Sequence, residues 1–195
     1  LGGQFVLGRN IPAALTRSAS SAVLCSFDML GEGARTQADA ERYFDSYKQA
    51  INTVGQHNTA NTVSDAHGIS VKLSALHPRF WESQRELCLP KLKEKVLALA
   101  ELASHYGLGL SLDAEECSRL ELTLDVFEWL CDQPSLASWS GLGFVLQAYQ
   151  KRGLEVAMWL TEQAMRRPQG IMVRLVKGAY WDTEIKIAQQ KGLDD

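Results

Sequence analysis

Five polar residues stand at or near the C-terminal ends of short apolar runs: Asp28, Lys72, Asp113, Gln147 and Arg174. Two cations, two carboxylates and one amide in such places can bind an anion and orient it. Lys72 and Arg174 would hold the anionic group, and Asp113 would orient one of the two cations. The same four charges could instead pair off as a structural ion-pair layer. A lysine in a barrel mouth could also form a Schiff base, but only if it were neutral. Asp113 and Ser70 nearby favour the charged ammonium. The four histidines (His57, His67, His77, His105) show no metal-ligand spacing, and Cys25, Cys88, Cys117 and Cys131 form no CxxC pair. No metal site is expected, and the thiols read as reduced, which suits a cytoplasmic protein.

These residues need a scaffold that brings five run ends together. The runs are Ala22 to Asp28, Gly68 to Ser74, Leu108 to Asp113, Gly141 to Gln147 and Gly170 to Val176. Each is short and apolar and follows a turn residue or a helix end. Helical patterns separate them. Thr36-x-x-Asp39 resembles a capping box for a helix to about Val54. Ser83-x-x-Glu86 and Ser118-x-x-Glu121 could open the next two, the first with Pro90 near its first turn, and Gly107 is a fitting stop. A fourth helix is expected from Leu154 to Arg166, and Asp182 could cap a fifth. Residues 56–67 read as a polar surface loop.

Strict strand–helix alternation implies a parallel sheet, either doubly wound or a (βα)8 barrel. No GxGxxG or P-loop follows the first run, where Gly31-Glu-Gly33-Ala34 is only a glycine-rich turn. Side-chain alternation settles the choice. Ile69, Val71 and Leu73 oppose Ser70, Lys72 and Ser74; Ile171, Val173 and Leu175 oppose Met172, Arg174 and Val176. One face is apolar and suits an outer helix layer. The other would line a barrel and converge at the mouth where (βα)8 enzymes keep their sites. The expected class is therefore α/β, a (βα)8 TIM-type barrel.

The 195 residues carry 20 Lys+Arg and 23 Asp+Glu, a net charge of −3, with 46% hydrophobic residues. That composition is globular and has no footprint for nucleic acid. The longest uncharged stretch, Pro134 to Gln150, is too polar to span a bilayer.

Four motifs carry a resemblance: Ser70-Val-Lys-Leu-Ser-Ala-Leu-His-Pro-Arg79, Asp113-Ala-Glu-Glu116 with Arg119-Leu-Glu121, Gln147-Ala-Tyr-Gln-Lys-Arg152, and Arg174-Leu-Val-Lys-Gly-Ala-Tyr-Trp-Asp182. In that order, and with Ser26-Phe-Asp-Met-Leu-Gly-Glu32 before them, they resemble the proline dehydrogenase domain of bifunctional proline utilisation A flavoenzymes. The resemblance implies a distorted (βα)8 barrel that binds FAD, oxidises L-proline to 1-pyrroline-5-carboxylate and passes electrons to a membrane quinone. It implies a cytoplasmic enzyme with peripheral contact to the inner membrane, usually joined to an aldehyde dehydrogenase domain. Lys72 matches the lysine on the proline carboxylate and Tyr180 a substrate-side aromatic. Asp113 matches the active-site aspartate and Arg174 the arginine near flavin N5. Ala114, Gln147, Lys177, Gly178 and Ala179 match cofactor contacts. Asp28 would support the site, and Trp181 reads as packing.

A whole barrel needs eight units, and five are counted here. Residues 1–21 read as a lead-in segment with room for one short helix, and residues 22–195 as an N-terminal fragment of the barrel. The family's paired arginines and its adenine-binding segment are absent, so the fragment alone is not expected to turn over proline. A truncated, non-catalytic scaffold is the remaining alternative, and it predicts no flavin binding.

Overall fold

Each apolar run becomes a strand and each amphipathic stretch a helix in the computed structural model, which describes residues 6–29 and 33–193. Among them are seven helices and five strands. In order they are α1 (Ile11–Ser21), β1 (Ser26–Asp28), α2 (Gln37–Gln56), β2 (Gly68–Val71), α3 (Leu73–Leu76), α4 (Arg85–His105), β3 (Gly109–Leu112), α5 (Leu120–Cys131), β4 (Leu142–Gln147), α6 (Gly153–Arg166), β5 (Met172–Val176) and α7 (Trp181–Lys191). The strands pair in parallel in sequence order, β1-β2-β3-β4-β5. The sheet curls into a half-barrel of five βα units, so Arg174 on β5 reaches Ser26 on β1 across its concave face.

The register stacks side chains in rows. Phe27, Ile69, Leu110 and Leu142 form one outer row; Val71, Leu112, Phe144 and Val173 form the next. α2, α4 and α6 pack on β2, β3 and β4. They bury Ile69, Val71, Leu110, Leu112 and Leu142 completely. All six residues of β4 are buried, as a central parallel strand requires. The inner rows carry Asp28, Ser70 and Ser111, then Val145 beside Arg174.

The opposite end of the half-barrel is tied by Arg167. Its buried guanidinium donates to the carbonyls of Cys131, Leu136, Trp139 and Gly170 at 2.9, 2.9, 3.0 and 3.1 Å. One side chain thus satisfies the ends of two helices and a turn.

The expected capping box at Thr36 and Asp39 forms in full. Gly107 takes φ +65° behind α4, the left-handed stop that glycine allows. Several boundaries differ from expectation. Every strand is shorter than its apolar run, because pairing begins and ends with the partner. β2 stops at Val71, and Leu73 and Ser74 lie in α3, so the alternation expected through Ser74 ends at Lys72. Ser83 and Ser118 cap no helix: each falls in a short 3₁₀ turn, and α4 and α5 start after them at Arg85 and Leu120. Pro90 is the sixth residue of α4, just past the first turn. Asp182 lies inside the first turn of α7, behind Tyr180 at the cap. The outer face of β5 also departs from expectation, since Val173 and Leu175 are 49% and 68% exposed. Gly31 and Glu32 of the glycine-rich turn lie outside the described residues.

Candidate active site

The site begins where β2 ends. The Asp113 N–H donates to Val71 O at 2.8 Å, which closes the ladder and leaves Lys72 free of it. The Lys72 N–H instead donates to the hydroxyl of Tyr47, 3.1 Å away on α2. Tyr47 is buried, and burial pushes its pKa up to about 12. Its hydroxyl therefore stays protonated and neutral at any physiological pH.

From this anchored backbone the Lys72 ammonium donates to Asp28 Oδ2 at 2.7 Å and Asp113 Oδ2 at 2.8 Å. Burial pulls its pKa down, but the hydrogen bonds to Asp113 and Asp28 outweigh that and hold it above the ordinary lysine value. Lys72 is thus a fixed cation. On the far side, Arg174 donates to Ser70 Oγ at 2.8 Å and Ser26 Oγ at 3.1 Å, and its Nη2 lies 3.4 Å from Asp113 Oδ1. Asp113 therefore joins the two cations, one on each carboxylate oxygen. The Ala114 N–H donates to Asp113 Oδ1 at 3.0 Å and fixes the carboxylate further.

The structure brings together four of the five expected run-end residues: Asp28, Lys72, Asp113 and Arg174. The fifth, Gln147, is buried at the end of β4 and donates through Nε2 to the backbone carbonyl of Glu115 at 2.9 Å. Of the loop after β5, Lys177 is exposed, and its carbonyl accepts from the Tyr149 N–H at 3.1 Å. Gly178 has φ +116°, and a Cβ there would collide with the Tyr149 ring and approach Gln147 Oε1. Only glycine lets this loop close on the end of β4. Ala179 is exposed. Tyr180 is half-buried, and its pKa is pushed up to about 12, first by burial and then by the nearby carboxylates of Glu115 and Glu116.

Tyr47 and Glu115 are the residues that sequence reasoning missed. Nothing in the sequence says where a tyrosine hydroxyl on a helix points. Glu115 left one trace, an acid four residues before Arg119, and the two do pair at 2.8 Å.

Chemically, the arrangement is a neutral cluster of two cations and two carboxylates with hydroxyl acceptors around it. A zwitterion can enter such a site without changing its net charge. Its carboxylate would take over one cation, and its ammonium would face the aspartate given up.

Comparisons with known proteins point the same way. Residues 13–195 match the family model described as proline dehydrogenase. The chain is 47% identical over 197 residues to the bifunctional protein PutA of Salmonella typhimurium, a match that covers all of this chain and 15% of that protein. It is 27% identical over 195 residues to proline dehydrogenase 1 of Bacillus subtilis, covering 98% of this chain and 57% of that one. A crystal structure of proline utilization A from Bradyrhizobium japonicum superposes with a TM-score of 0.86 at 49% identity, over 96% of this chain and 19% of that chain.

Proposed function

The chain belongs to the proline dehydrogenase family, and from that premise we propose that it forms part of an FAD-dependent enzyme oxidising L-proline to 1-pyrroline-5-carboxylate, with quinone as the final electron acceptor. The observation that carries this reading is Asp113 bridging Lys72 and Arg174 at the end of the barrel strands. The chain spans only about 15% of the PutA protein it matches. Turnover is accordingly assigned to the whole protein, with the rest of the barrel and an aldehyde dehydrogenase domain supplied beyond these residues.

Lys72 holds the proline carboxylate as an ammonium. Asp113 keeps Lys72 and Arg174 at a fixed spacing and offers an oxygen to the substrate nitrogen. The chain's residues suit a flavin: Arg174 brings a cation, Gln147 an amide with one N–H and Oε1 still available, and Gly178 a backbone that comes close to that amide. Bound FAD supplies the two-electron acceptor at N5 for the hydride that leaves the carbon beside nitrogen. Arg174 favours the negative charge that builds up on the acceptor side. Ala114, Lys177 and Ala179 line the cofactor side, and Tyr180, held neutral, covers the substrate.

A Schiff-base lyase needs Lys72 neutral, and the two carboxylates keep it charged. Among the described residues no helix is long and apolar enough to cross a membrane. We assign the protein to the cytoplasm, with peripheral membrane contact at the step that hands electrons to quinone.

The test is the visible spectrum of the whole protein, recorded anaerobically before and after L-proline. Flavin bands that bleach are expected. Bands that persist would mean another substrate, and a protein without flavin would overturn the reading.

A further inference from the structure

Glu115 is a charged residue buried to 7% exposure that touches neither cation of the cluster, and the reaction does not use it. It nonetheless meets both arms of the site. Its Oε1 accepts from the Ser74 N–H at 3.0 Å, two residues beyond Lys72. Its backbone carbonyl accepts from Gln147 Nε2 at 2.9 Å. Its Oε2 pairs with Arg119 at 2.8 Å, and the Arg119 guanidinium lies over the Trp81 and Phe80 rings at 4.8 and 5.7 Å.

We propose that the Glu115 side chain is a positioning group that sets Lys72 through Ser74, from the same residue whose carbonyl seats Gln147. The inference rests on the reading of Lys72 and Gln147 given above. Three elements meet at this one residue: α3, the end of β4 and the turn into α5. Where β2 stops, the backbone needs new partners, because Lys72 and Ser74 have left the ladder. Tyr47 takes the first N–H and Glu115 the second. A buried N–H without an acceptor is costly, so both contacts constrain where Lys72 begins. Burial pushes the Glu115 carboxyl up, and Arg119 with the Ser74 N–H opposes that shift. A charged, hydrogen-bonded carboxylate holds its partners more tightly than a neutral amide would.

The experiment uses the whole protein with its flavin and must separate positioning from stability. Glu115→Leu/Arg119→Leu replaces the buried pair with an apolar contact that folds, while the Ser74 N–H loses its acceptor. Amide exchange across residues 72–76 is expected to quicken about tenfold, and the KM for L-proline to rise about tenfold, with only the modest fall in thermal midpoint that one unpaired buried N–H causes. Glu115→Gln keeps an oxygen for Ser74 and should return both readouts toward wild type. Unchanged exchange and unchanged KM in the double variant would overturn the proposal, as would a Glu115→Gln protein no better than the double variant. Should the double variant not fold, Glu115→Gln against Glu115→Ala decides on the same two readouts. Amide exchange needs no turnover. If wild-type flavin fails to bleach with proline, the functional reading falls, and the exchange data still judge the role of Glu115.

Discussion

β4 and β5 are neighbours in one sheet and live in different surroundings. The outer side chains of β4 lie under α5 and α6, and Phe144 meets Phe127 edge-on with ring centroids 5.1 Å apart. One strand over, Val173 and Leu175 extend the same outer rows and stand 49% and 68% exposed. They line an open apolar groove with Leu146, Leu154, Ala157 and Leu160. A parallel strand is normally covered on both faces. β5 has no buried side chain on either face, and on its inner side Arg174 ties it to β1 and β2. Helix packing buries the outer faces of β2, β3 and β4, whereas β5 is held by its ladder to β4 and by the polar contacts of Arg174 across the concave face.

The largest effect should come from breaking the covered half. Phe127→Ala removes a fully buried ring and should cost about 3–5 kcal/mol in chemical denaturation. Breaking the polar tie of β5 comes next. Arg174→Ala should slow flavin reduction about 10²- to 10³-fold in stopped flow, with global stability little changed. Lys72→Ala touches the same cluster from the covered side. It should raise the KM for L-proline about 10- to 100-fold and leave flavin bound. If both variants kept wild-type kinetics, the cluster would be structural only.

Acid should test the covered half more gently. His67 packs against Phe27 at 5.2 Å, and its Nδ1 accepts from the Cys25 N–H at 3.0 Å. Burial lowers its pKa below the ordinary 6.5. The fold therefore prefers the neutral ring. Its contribution is complete above about pH 6.5 and is lost as pH falls through the lowered folded value. Thermal midpoints should decline below pH 6.5, and His67→Gln, which keeps an acceptor for Cys25, should flatten that decline. The smallest effect belongs to the uncovered half. Leu175→Ala should change the stability of this segment taken alone by less than about 0.5 kcal/mol, since most of the side chain faces solvent in it.

Period-two alternation makes the barrel and four of its converging charges readable in the sequence alone. It worked for Asp28, Asp113 and Arg174 because their strands are regular up to those residues. It overran at Leu73 and Ser74, where a backbone turn outweighs the apolar pattern. Ser83 and Ser118 looked like caps because the motif is local, but neither side chain closes a helix. Tyr47, Glu115 and Arg167 were not legible for the opposite reason. Their main partners are backbone groups 25 to 41 residues away, and no pattern of residue types records those distances. The outer face of β5 reads as any other strand in sequence, because alternation says which side is apolar and not whether anything lies on it.

The span of Arg174 also bears on the order of assembly. The Lys72 contacts to Asp28 and Asp113 close loops of 44 and 41 residues, whereas Arg174 to Ser26 closes 148. Loop entropy makes the longer closure about 1 kcal/mol more demanding. Moreover, a ribosome delivers residue 174 only after the first three strands have left it. Nascent chains should therefore join Lys72 to its aspartates early and recruit Arg174 last, so the charge that readies the site for chemistry arrives once the rest of the half-barrel is in place.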